Sequence, residues 1–273
     1  MNNIADTAQY KLTKIASYSI KYSLLLLFIM FSIPTAATAK LPGEIANSEL
    51  HYPGIDLSLL RKNMITGSVD NRYDDRTYTA TQLSATVELA NMYLYRGNDL
   101  SKGNSLVAGS LDYQHLSGIY ASVWSASGDK ELGLEYDVVL GFASKIANIE
   151  YDLGYISYIY PNNTEKNSLA DNAEYYLSVE YSMLEFSLWK NTDITKNGDY
   201  AYYTFSANYN AFSVLLGMYD DGLVSSQGDY SHLDLAYDFN AQLRFTLSQA
   251  QYKDESKDKN FPYFMLSYSL SVQ

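Results

Sequence analysis

Glu-Leu-Gly-Leu-Glu-Tyr-Asp-Val-Val-Leu-Gly-Phe, at residues 131–142, is the clearest alternating segment of the chain. Its even-numbered positions are all apolar or aromatic, whereas its odd-numbered positions include Glu131, Glu135 and Asp137. Successive side chains of a strand point to opposite faces, so this period of two gives one apolar and one polar face. Such alternation over about ten residues is typical of strands that cross an outer membrane.

Residues 131–142 are one of twelve alternating segments in the sequence, and the connectors between these segments are by turns short and long. Outer-membrane barrels have this arrangement, because their two rims face different compartments. A soluble β-sandwich also alternates, but it requires no alternation of connector length and no polar face inside. We therefore predict an all-β fold, an antiparallel up-and-down transmembrane β-barrel of twelve strands within residues 81–273, with both termini in the periplasm. The segments are 82–95, 105–115, 119–125, 131–142, 149–159, 173–183, 184–190, 200–209, 211–219, 230–239, 242–252 and 264–272.

The N-terminal residues are typical of a secretory signal peptide. Three lysines precede the uncharged apolar run 24–33, and the Ala-Thr-Ala sequence at 37–39 fits a signal-peptidase site. The apolar run is too short for a membrane-spanning helix, which needs roughly 20 residues. We expect cleavage before Lys40, which assigns residues 1–39 to the signal peptide and places the mature chain in a bacterial outer membrane.

Residues 40–80 lack the alternation. Proline and glycine interrupt this segment, and residues 70–76 are densely charged. Because the segment is polar and irregular, we predict a periplasmic N-terminal extension. The alternative is a plug that enters the barrel.

The composition excludes several classes of function. The 273 residues include 28 tyrosines and no cysteine, which excludes disulfides, thiolate metal sites and a lipoprotein anchor. The whole chain has 19 basic and 31 acidic residues, and the predicted signal peptide contains three Lys and one Asp. The mature chain therefore has 16 basic and 30 acidic residues, a net charge of −14. This charge disfavours nucleic acid, whose phosphates need lysine and arginine. Abundant tyrosine suits the aromatic girdles of membrane interfaces.

Several short motifs in the first hairpins carry a family resemblance. They are Tyr95-Arg96-Gly97, Asp99-Leu100-Ser101, Gly109-Ser110-Leu111-Asp112-Tyr113, Ser117-Gly118-Ile119-Tyr120, Trp124-Ser125, Tyr151-Asp152-Leu153-Gly154 and Tyr158-Ile159-Tyr160-Pro161. They resemble the TorF family of porin-like proteins from about Leu83 to the C-terminus, most specifically before Pro161. The resemblance implies a signal peptide, an outer-membrane barrel and a role as a pore, with no established substrate. The chain departs from the family pattern at Asn104 and Ser122, and it ends on Ser-Val-Gln instead of an aromatic residue.

Polar side chains on the second face of the predicted strands are expected to line the interior. They are mostly carboxylates, so we predict a lumen that favours cations, provided that it is open. The alternative is that these groups only keep the interior hydrated. The predicted pore-lining residues are Glu88, Asp112, Glu135, Asp137, Glu150, Asp152, Glu174, Glu180, Glu185, Asp234, Asp238 and Arg244.

Arg96 and Gly97 fall where the first predicted strand leaves the membrane. We expect Gly97 to permit a turn and Arg96 to extend its charge towards the interface. The alternatives for Arg96 are an anionic lipid headgroup or a carboxylate in the lumen.

The predicted function is passive diffusion of small hydrophilic solutes or ions with a weak cation preference, and the alternative is a closed barrel with a structural or surface-interaction role. An enzyme is disfavoured, because His51, His115 and His232 fall at separated places and histidine catalysis needs a nucleophile or carboxylate partner. We predict no catalytic, cofactor-binding or metal site. The expected partners are outer-membrane lipids, the barrel-assembly machinery and small solutes or ions; the oligomeric state is left open.

Overall fold

A computed structural model describes residues 81–192, 200–220, 228–254 and 261–272. The signal peptide predicted for residues 1–39 and the extension predicted for residues 40–80 lie outside these ranges. No helix within the described ranges is long and apolar enough to cross a membrane. The strands are β1 (Thr81–Ala90), β2 (Leu94–Tyr95), β3 (Asn98–Asp99), β4 (Leu106–His115), β5 (Ile119–Asp129), β6 (Gly133–Ile146), β7 (Ile149–Ile159), β8 (Ala173–Tyr181), β9 (Leu184–Asn191), β10 (Ala201–Tyr209), β11 (Phe212–Asp220), β12 (Tyr230–Asp238), β13 (Leu243–Tyr252) and β14 (Tyr263–Val272).

Twelve of these strands form one closed antiparallel barrel, which confirms the predicted fold. From β4 onward each strand pairs with the next along the chain, and β1 lies between β4 and β14. At the closure Ala85 is opposite Val272 and Ala90 is opposite Ser267. The short strands β2 and β3 form a separate two-stranded hairpin.

The two faces of the barrel wall differ as the alternation predicted. In β6 the side chains of Tyr136 and Leu140 are exposed, whereas Glu135 and Asp137 are buried in the interior. In a closed barrel the backbone groups of every strand pair with a neighbouring strand, so the wall can lie in lipid without unsatisfied backbone groups. An apolar outer face on such a wall is the surface that an outer-membrane barrel presents to lipid. The exposed outward residues include Leu83, Val87, Leu111, Val123, Leu140, Leu153, Leu177, Phe186, Phe205, Leu247, Leu266 and Leu270.

The rim that carries the short connectors is called here the short-turn end. Its connectors include the two-residue turns 147–148, 182–183 and 210–211. The first residue of each of these turns has a positive φ, as the tight hairpin turns of twisted strands require. Exposed aromatic side chains near this rim form a girdle of the kind found at membrane interfaces: Tyr113, Tyr181, Tyr209, Phe212 and Phe239.

The opposite rim, called here the long-connector end, departs from the predicted pattern once. Connectors 91–105 and 160–172 are long, but β5 and β6 are joined by residues 130–132 alone. The strand predicted to end at Ser125 continues to Asp129, with an irregularity in the pairing between Ser127 and Asp129. A bulge of this kind bends the strand pair and lets it extend beyond its neighbours.

The first strand ends earlier than the alternation predicted. The segment 82–95 was expected to be one strand, but β1 stops at Ala90. The Asn91 side chain donates to the Phe264 carbonyl oxygen at 3.0 Å and accepts from the Leu266 amide at 2.8 Å. The Asn91 amide also donates to the Leu266 carbonyl oxygen at 3.2 Å, so the next rung of the ladder is formed half by backbone and half by the Asn91 side chain. The chain then turns into the barrel.

The closing pair of strands can be tested by cysteine cross-linking, because the chain has no cysteine of its own. Thr86 and Ser271 are partners across β1 and β14, and their hydroxyl oxygens are 2.9 Å apart. Opposite Cα atoms of an antiparallel pair are about 4.5–5.5 Å apart, within the range of a disulfide. We expect the T86C/S271C variant to form an intramolecular disulfide on oxidation, detected by non-reducing electrophoresis.

The matched control is T86C/S267C, because Ser267 faces the same side of β14 but is paired with Ala90. Four residues along a strand span about 13 Å, too far for a disulfide. Equal cross-linking of both variants would contradict this register.

Candidate functional site: an inward loop and the barrel wall around it

The connector between β1 and β4, residues 91–105, enters the barrel over residues 92–101, whereas residues 102–105 are exposed. This connector is called here the inward loop. Tyr93, Leu94, Arg96 and Ser101 are 1%, 4%, 6% and 0% exposed. Connectors usually run over the surface, where water can satisfy their polar groups. Burial of residues 93–101 therefore places this part of the connector within the barrel at the long-connector end.

The loop satisfies its own backbone. Arg96 and Gly97 form the turn of the β2–β3 hairpin, and both have positive φ, 47° and 78°. The Asp99 carboxylate accepts from the amides of Ser101 and Gly103 at 2.9 and 2.7 Å. The Ser101 hydroxyl in turn accepts from the Tyr93 amide at 3.0 Å. Because these groups are paired, the loop can lie away from bulk water at little cost.

Small side chains on the wall leave room for the start of the loop. Ala90, Ala108 and Ala126 face inward on β1, β4 and β5, and they belong to the same buried cluster as Tyr93 and Trp124. The rings of Tyr93 and Trp124 have centroids 6.0 Å apart. A recess floored by alanine on three strands thus receives the Tyr93 ring.

The Tyr93 hydroxyl anchors the loop to β6, the strand next to β5. It donates to Glu135 Oε2 at 2.6 Å. Burial, and then the nearby Glu135 carboxylate, raise the pKa of Tyr93 well above its ordinary value, so the phenol stays protonated and can donate.

The strongest polar contact of the loop is between Arg96 and Glu174 of β8. Arg96 Nη1 and Nη2 donate to the two carboxylate oxygens at 2.9 and 2.7 Å, and the Tyr158 hydroxyl donates to Glu174 Oε2 at 2.7 Å. Arg96 and Glu174 are 6% and 0% exposed. Burial alone would lower the pKa of Arg96, but the facing carboxylate holds that pKa well above its ordinary value. This is a charge-assisted, bidentate pair.

Aromatic rings surround the same guanidinium. Its central carbon lies 4.9 Å from the ring centroid of Tyr95, 5.6 Å from that of Trp189 and 4.3 Å from that of Tyr202. These distances are within the range of cation–π attraction. Four of the surrounding residues belong to the barrel wall and form what is called here the arginine pocket: Tyr158, Glu174, Trp189 and Tyr202.

Gly97, at the tip of the hairpin, lies directly against His232 of β12. A Cβ atom on Gly97 would be 2.5 Å from the His232 Cβ, so only glycine fits there. The His232 ring is fixed from both sides, by Tyr202 Oη at 2.8 Å from Nε2 and by Asp234 Oδ1 at 2.9 Å from Nδ1. The tip of the loop therefore rests on a rigid part of the wall.

All twelve residues predicted to line the pore lie at inward-facing positions of their strands. Glu135 and Glu174 contact the inward loop through Tyr93 and Arg96. Asp137 follows Glu135 on the same face of β6 and is 1% exposed. Glu88 is also buried, at 2%. That these groups line a pore and act on a permeating solute stays a prediction.

A second group of the predicted residues lies towards the short-turn end. Glu180 of β8 is opposite Glu150 of β7 on one side and Glu185 of β9 on the other, so three carboxylates form one row. Arg244 donates to both oxygens of Asp238, at 2.6 and 2.9 Å. The remaining predicted residues, Asp112, Asp152 and Asp234, are buried on the inward face.

The predicted position of Arg96 was wrong, and the inward loop was not predicted from the sequence. Arg96 was expected to extend its charge towards the membrane interface. It instead binds Glu174 inside the barrel, as the alternative prediction of a carboxylate in the lumen had it. The reason is that the chain turns inward at Asn91, before the position where the strand was expected to leave the membrane. One available signal was the Tyr-Leu-Tyr sequence at 93–95, which is unusually apolar for a solvated connector.

The described histidines lie at opposite ends of the barrel. His115 ends β4 at the short-turn end, where its Nδ1 is 2.8 Å from Ser117 Oγ, whereas His232 is close to the long-connector end. His51 lies outside the described residues. Within the described part of the chain, no three His, Cys, Asp or Glu side chains are grouped so as to hold a metal ion. That the chain is not an enzyme stays a prediction.

The position of the inward loop can be tested at its glycines. Both G97A and G103A place alanine at a positive φ, of 78° and 85°, but only the Gly97 site has a neighbour within contact distance of the new Cβ. The left-handed backbone costs either variant about 1–2 kcal/mol, so a difference between them reports the His232 contact. We expect trypsin to cleave after Arg96 in G97A and not in G103A or the parent. Equal protection of all three would contradict a tip that is fitted against His232.

Comparisons with known proteins give remote structural similarity and one family. The chain resembles the KdgM porin (10% identity, 71% of this chain and 98% of that one, TM-score 0.40). It also resembles outer membrane phospholipase A from Escherichia coli (14% identity, 74% and 95%, TM-score 0.39) and OccK10 (OpdN) from Pseudomonas aeruginosa (13% identity, 71% and 71%, TM-score 0.35). No curated protein matches the chain. The architecture described above rests on the strand pairing of this chain alone.

A family model covers most of the barrel. It matches residues 75–259, from just before β1 to the connector that precedes β14. The chain therefore belongs to the family described as a bacterial protein of unknown function (Gcw_chp).

Proposed function

We propose that the protein is an outer-membrane channel for passive diffusion of small hydrophilic solutes or ions, and that the inward loop forms its constriction. The observation that carries this proposal is a closed barrel with a polar inward face, into which one connector folds from the long-connector end. The resemblance of the first hairpins to TorF porins supports it. The proposal includes no catalytic step.

The number of strands supports a narrow pore. Barrels of about eight strands are filled by their side chains, whereas those with about sixteen enclose an aqueous channel. Twelve strands lie between these limits. A lumen of this width is sensitive to a single inserted hairpin, so the β2–β3 hairpin is well placed to set the size of what passes.

We propose a weak cation preference on the basis of the charges that face inward. Eleven of the twelve residues predicted to line the pore are carboxylates. Among the described residues, the basic side chains on the same side are those of Arg244 and Lys145 on the strands and Arg96 on the inward loop. A low-dielectric wall focuses the field of such an excess into the lumen. The sign of the excess favours cations.

A closed barrel with a structural or surface-interaction role is the second candidate. The observation that favours it is the fit of the inward loop, which combines an ion pair, ring contacts and the Gly97–His232 contact. A loop fixed in this way closes the lumen permanently if no solute or voltage displaces it.

Conductance across a planar bilayer distinguishes the two candidates. We expect the purified protein to insert with discrete conductance steps, and a salt gradient to give a reversal potential of the sign for cation permeation. A silent bilayer, with the same preparation shown to be folded by its circular dichroism, would favour the closed barrel. A reversal potential favouring anions would keep the channel and contradict the charge argument.

The cation preference is tested at the carboxylate row near the short-turn end. Glu180 and Glu185 face each other across β8 and β9 beside the turn 182–183, at the opposite end of the barrel from the β2–β3 hairpin. At about 8 Å in water one unit charge changes the energy of a passing ion by about 0.5 kcal/mol, or about two-fold in relative permeability. We expect E180Q/E185Q to lower the cation-to-anion permeability ratio by about two-fold or more at low salt.

The control removes two carboxylates from connectors of the long-connector end. Glu165 and Asp254 are exposed there and lie outside the strands. We expect E165Q/D254N to retain most of the parent selectivity. An equal loss in both double variants would mean that the net charge of the protein, and not the inward row, sets the selectivity.

A further inference from the structure

We propose that the arginine pocket is a recognition site for small solutes that carry a guanidinium group, and that Arg96 occupies it as a tethered internal ligand. The inference deepens the proposed channel function, on which it rests, by naming a substrate class. When such a solute binds, its guanidinium group replaces the Arg96 guanidinium as the partner of Glu174. The inward loop then moves away from the wall.

The pocket is built by the wall and not by the loop. Its four residues, Tyr158, Glu174, Trp189 and Tyr202, come from β7, β8, β9 and β10, which are neighbours in the barrel. Tyr158 donates to Glu174 at 2.7 Å, and the Tyr202 hydroxyl is 2.8 Å from His232. The Trp189 ring packs on Tyr176 with centroids 4.8 Å apart. Each wall residue thus has a contact that holds it in place when Arg96 is absent.

The chemistry of the pocket selects a planar cation. Glu174 accepts two parallel hydrogen bonds from the Arg96 guanidinium, a geometry that an alkali ion or an ammonium group cannot reproduce. The rings of Trp189 and Tyr202 attract a cation that is weakly hydrated and can lie against them. A sodium ion would have to lose its water to gain the same contacts.

The tether on Arg96 sets the expected affinity. A group held beside its site competes at an effective concentration on the order of millimolar or above. A free solute therefore binds weakly while Arg96 is present, and weak binding is what passage through a channel requires. Displacement also releases the hairpin that carries Tyr95, Arg96 and Gly97, which couples recognition to opening.

Tryptophan fluorescence gives a local readout of the pocket. The chain has two tryptophans, Trp124 and Trp189, and Trp189 lies 5.6 Å from the bound guanidinium. In the W124F background Trp189 is the sole reporter. We would titrate methylguanidinium chloride against sodium chloride at equal ionic strength, using the full chain in detergent, with and without R96A.

We expect saturable quenching or a spectral shift with methylguanidinium in W124F/R96A. The half-saturation concentration should be at least about ten-fold higher in W124F, because Arg96 competes there. Adding E174Q to W124F/R96A should abolish saturation, since the bidentate acceptor is lost. A folded W124F/R96A protein that shows no saturation, or that responds equally to sodium, would overturn the proposal.

The parent protein provides a test that does not depend on the stability of R96A. In a planar bilayer we expect methylguanidinium to increase the sodium conductance saturably, because displacement of Arg96 releases the inward loop. We expect methylammonium at the same concentration to have at least about ten-fold less effect, because it cannot form the bidentate pair. Equal effects of the two cations would overturn the recognition site while leaving the channel intact. Saturable fluorescence in a protein that conducts no ion would do the reverse: the site would stand and the channel function would fail.

Discussion

The pairing of β1 with β14 leaves no barrel strand with an unpaired edge, and the arrangement of the whole wall follows from that closure. In a membrane an open edge would leave amide and carbonyl groups without partners, at several kcal/mol each. Closure also fixes the register, because a slip of one residue would turn Glu88 towards lipid and Val87 towards the interior. Which side chains face inward is thus decided by the same hydrogen bonds that close the sheet.

Once the wall is fixed, small residues decide where the interior is filled. Gly141 and Gly154 are opposite each other on β6 and β7, and a Cβ atom on either would overlap the ring of Tyr120 or Tyr176. These two tyrosines lean over the glycine pair, and their hydroxyls meet beside Asp152. Closer to the long-connector end, the alanine recess beside Tyr93 likewise leaves space for an aromatic ring. Small side chains on the wall therefore place the large aromatic ones, and these place the inward loop.

The sequence was sufficient for the features that depend on a period of two. Each of the twelve residues assigned to the interior faces inward, because the direction of a strand side chain follows from its neighbours alone. The predicted end of β1 was wrong, because the Asn91 side chain forms hydrogen bonds to the backbone of β14, more than 170 residues away. Arg96 was placed wrongly for the same reason, since Glu174 lies 78 residues further along the chain. Local patterns predict the wall, whereas distant partners determine what lies inside it.

The chemistry of the Arg96–Glu174 contact bears on whether the loop is a permanent filling or an exchangeable one. A buried ion pair often contributes no more to stability than an apolar pair of the same volume, whereas removal of one partner costs about 3–5 kcal/mol because the other charge is left buried. At Tyr93 the loop is held by a neutral side chain, which enters an alanine recess beside Trp124 and donates its hydroxyl to Glu135. At Arg96 the loop instead depends on a charge whose partner, Glu174, stays on the wall when the loop leaves. Departure of Arg96 is therefore tolerable only when another cation reaches Glu174 at the same time, which makes movement of the loop conditional on what enters the lumen.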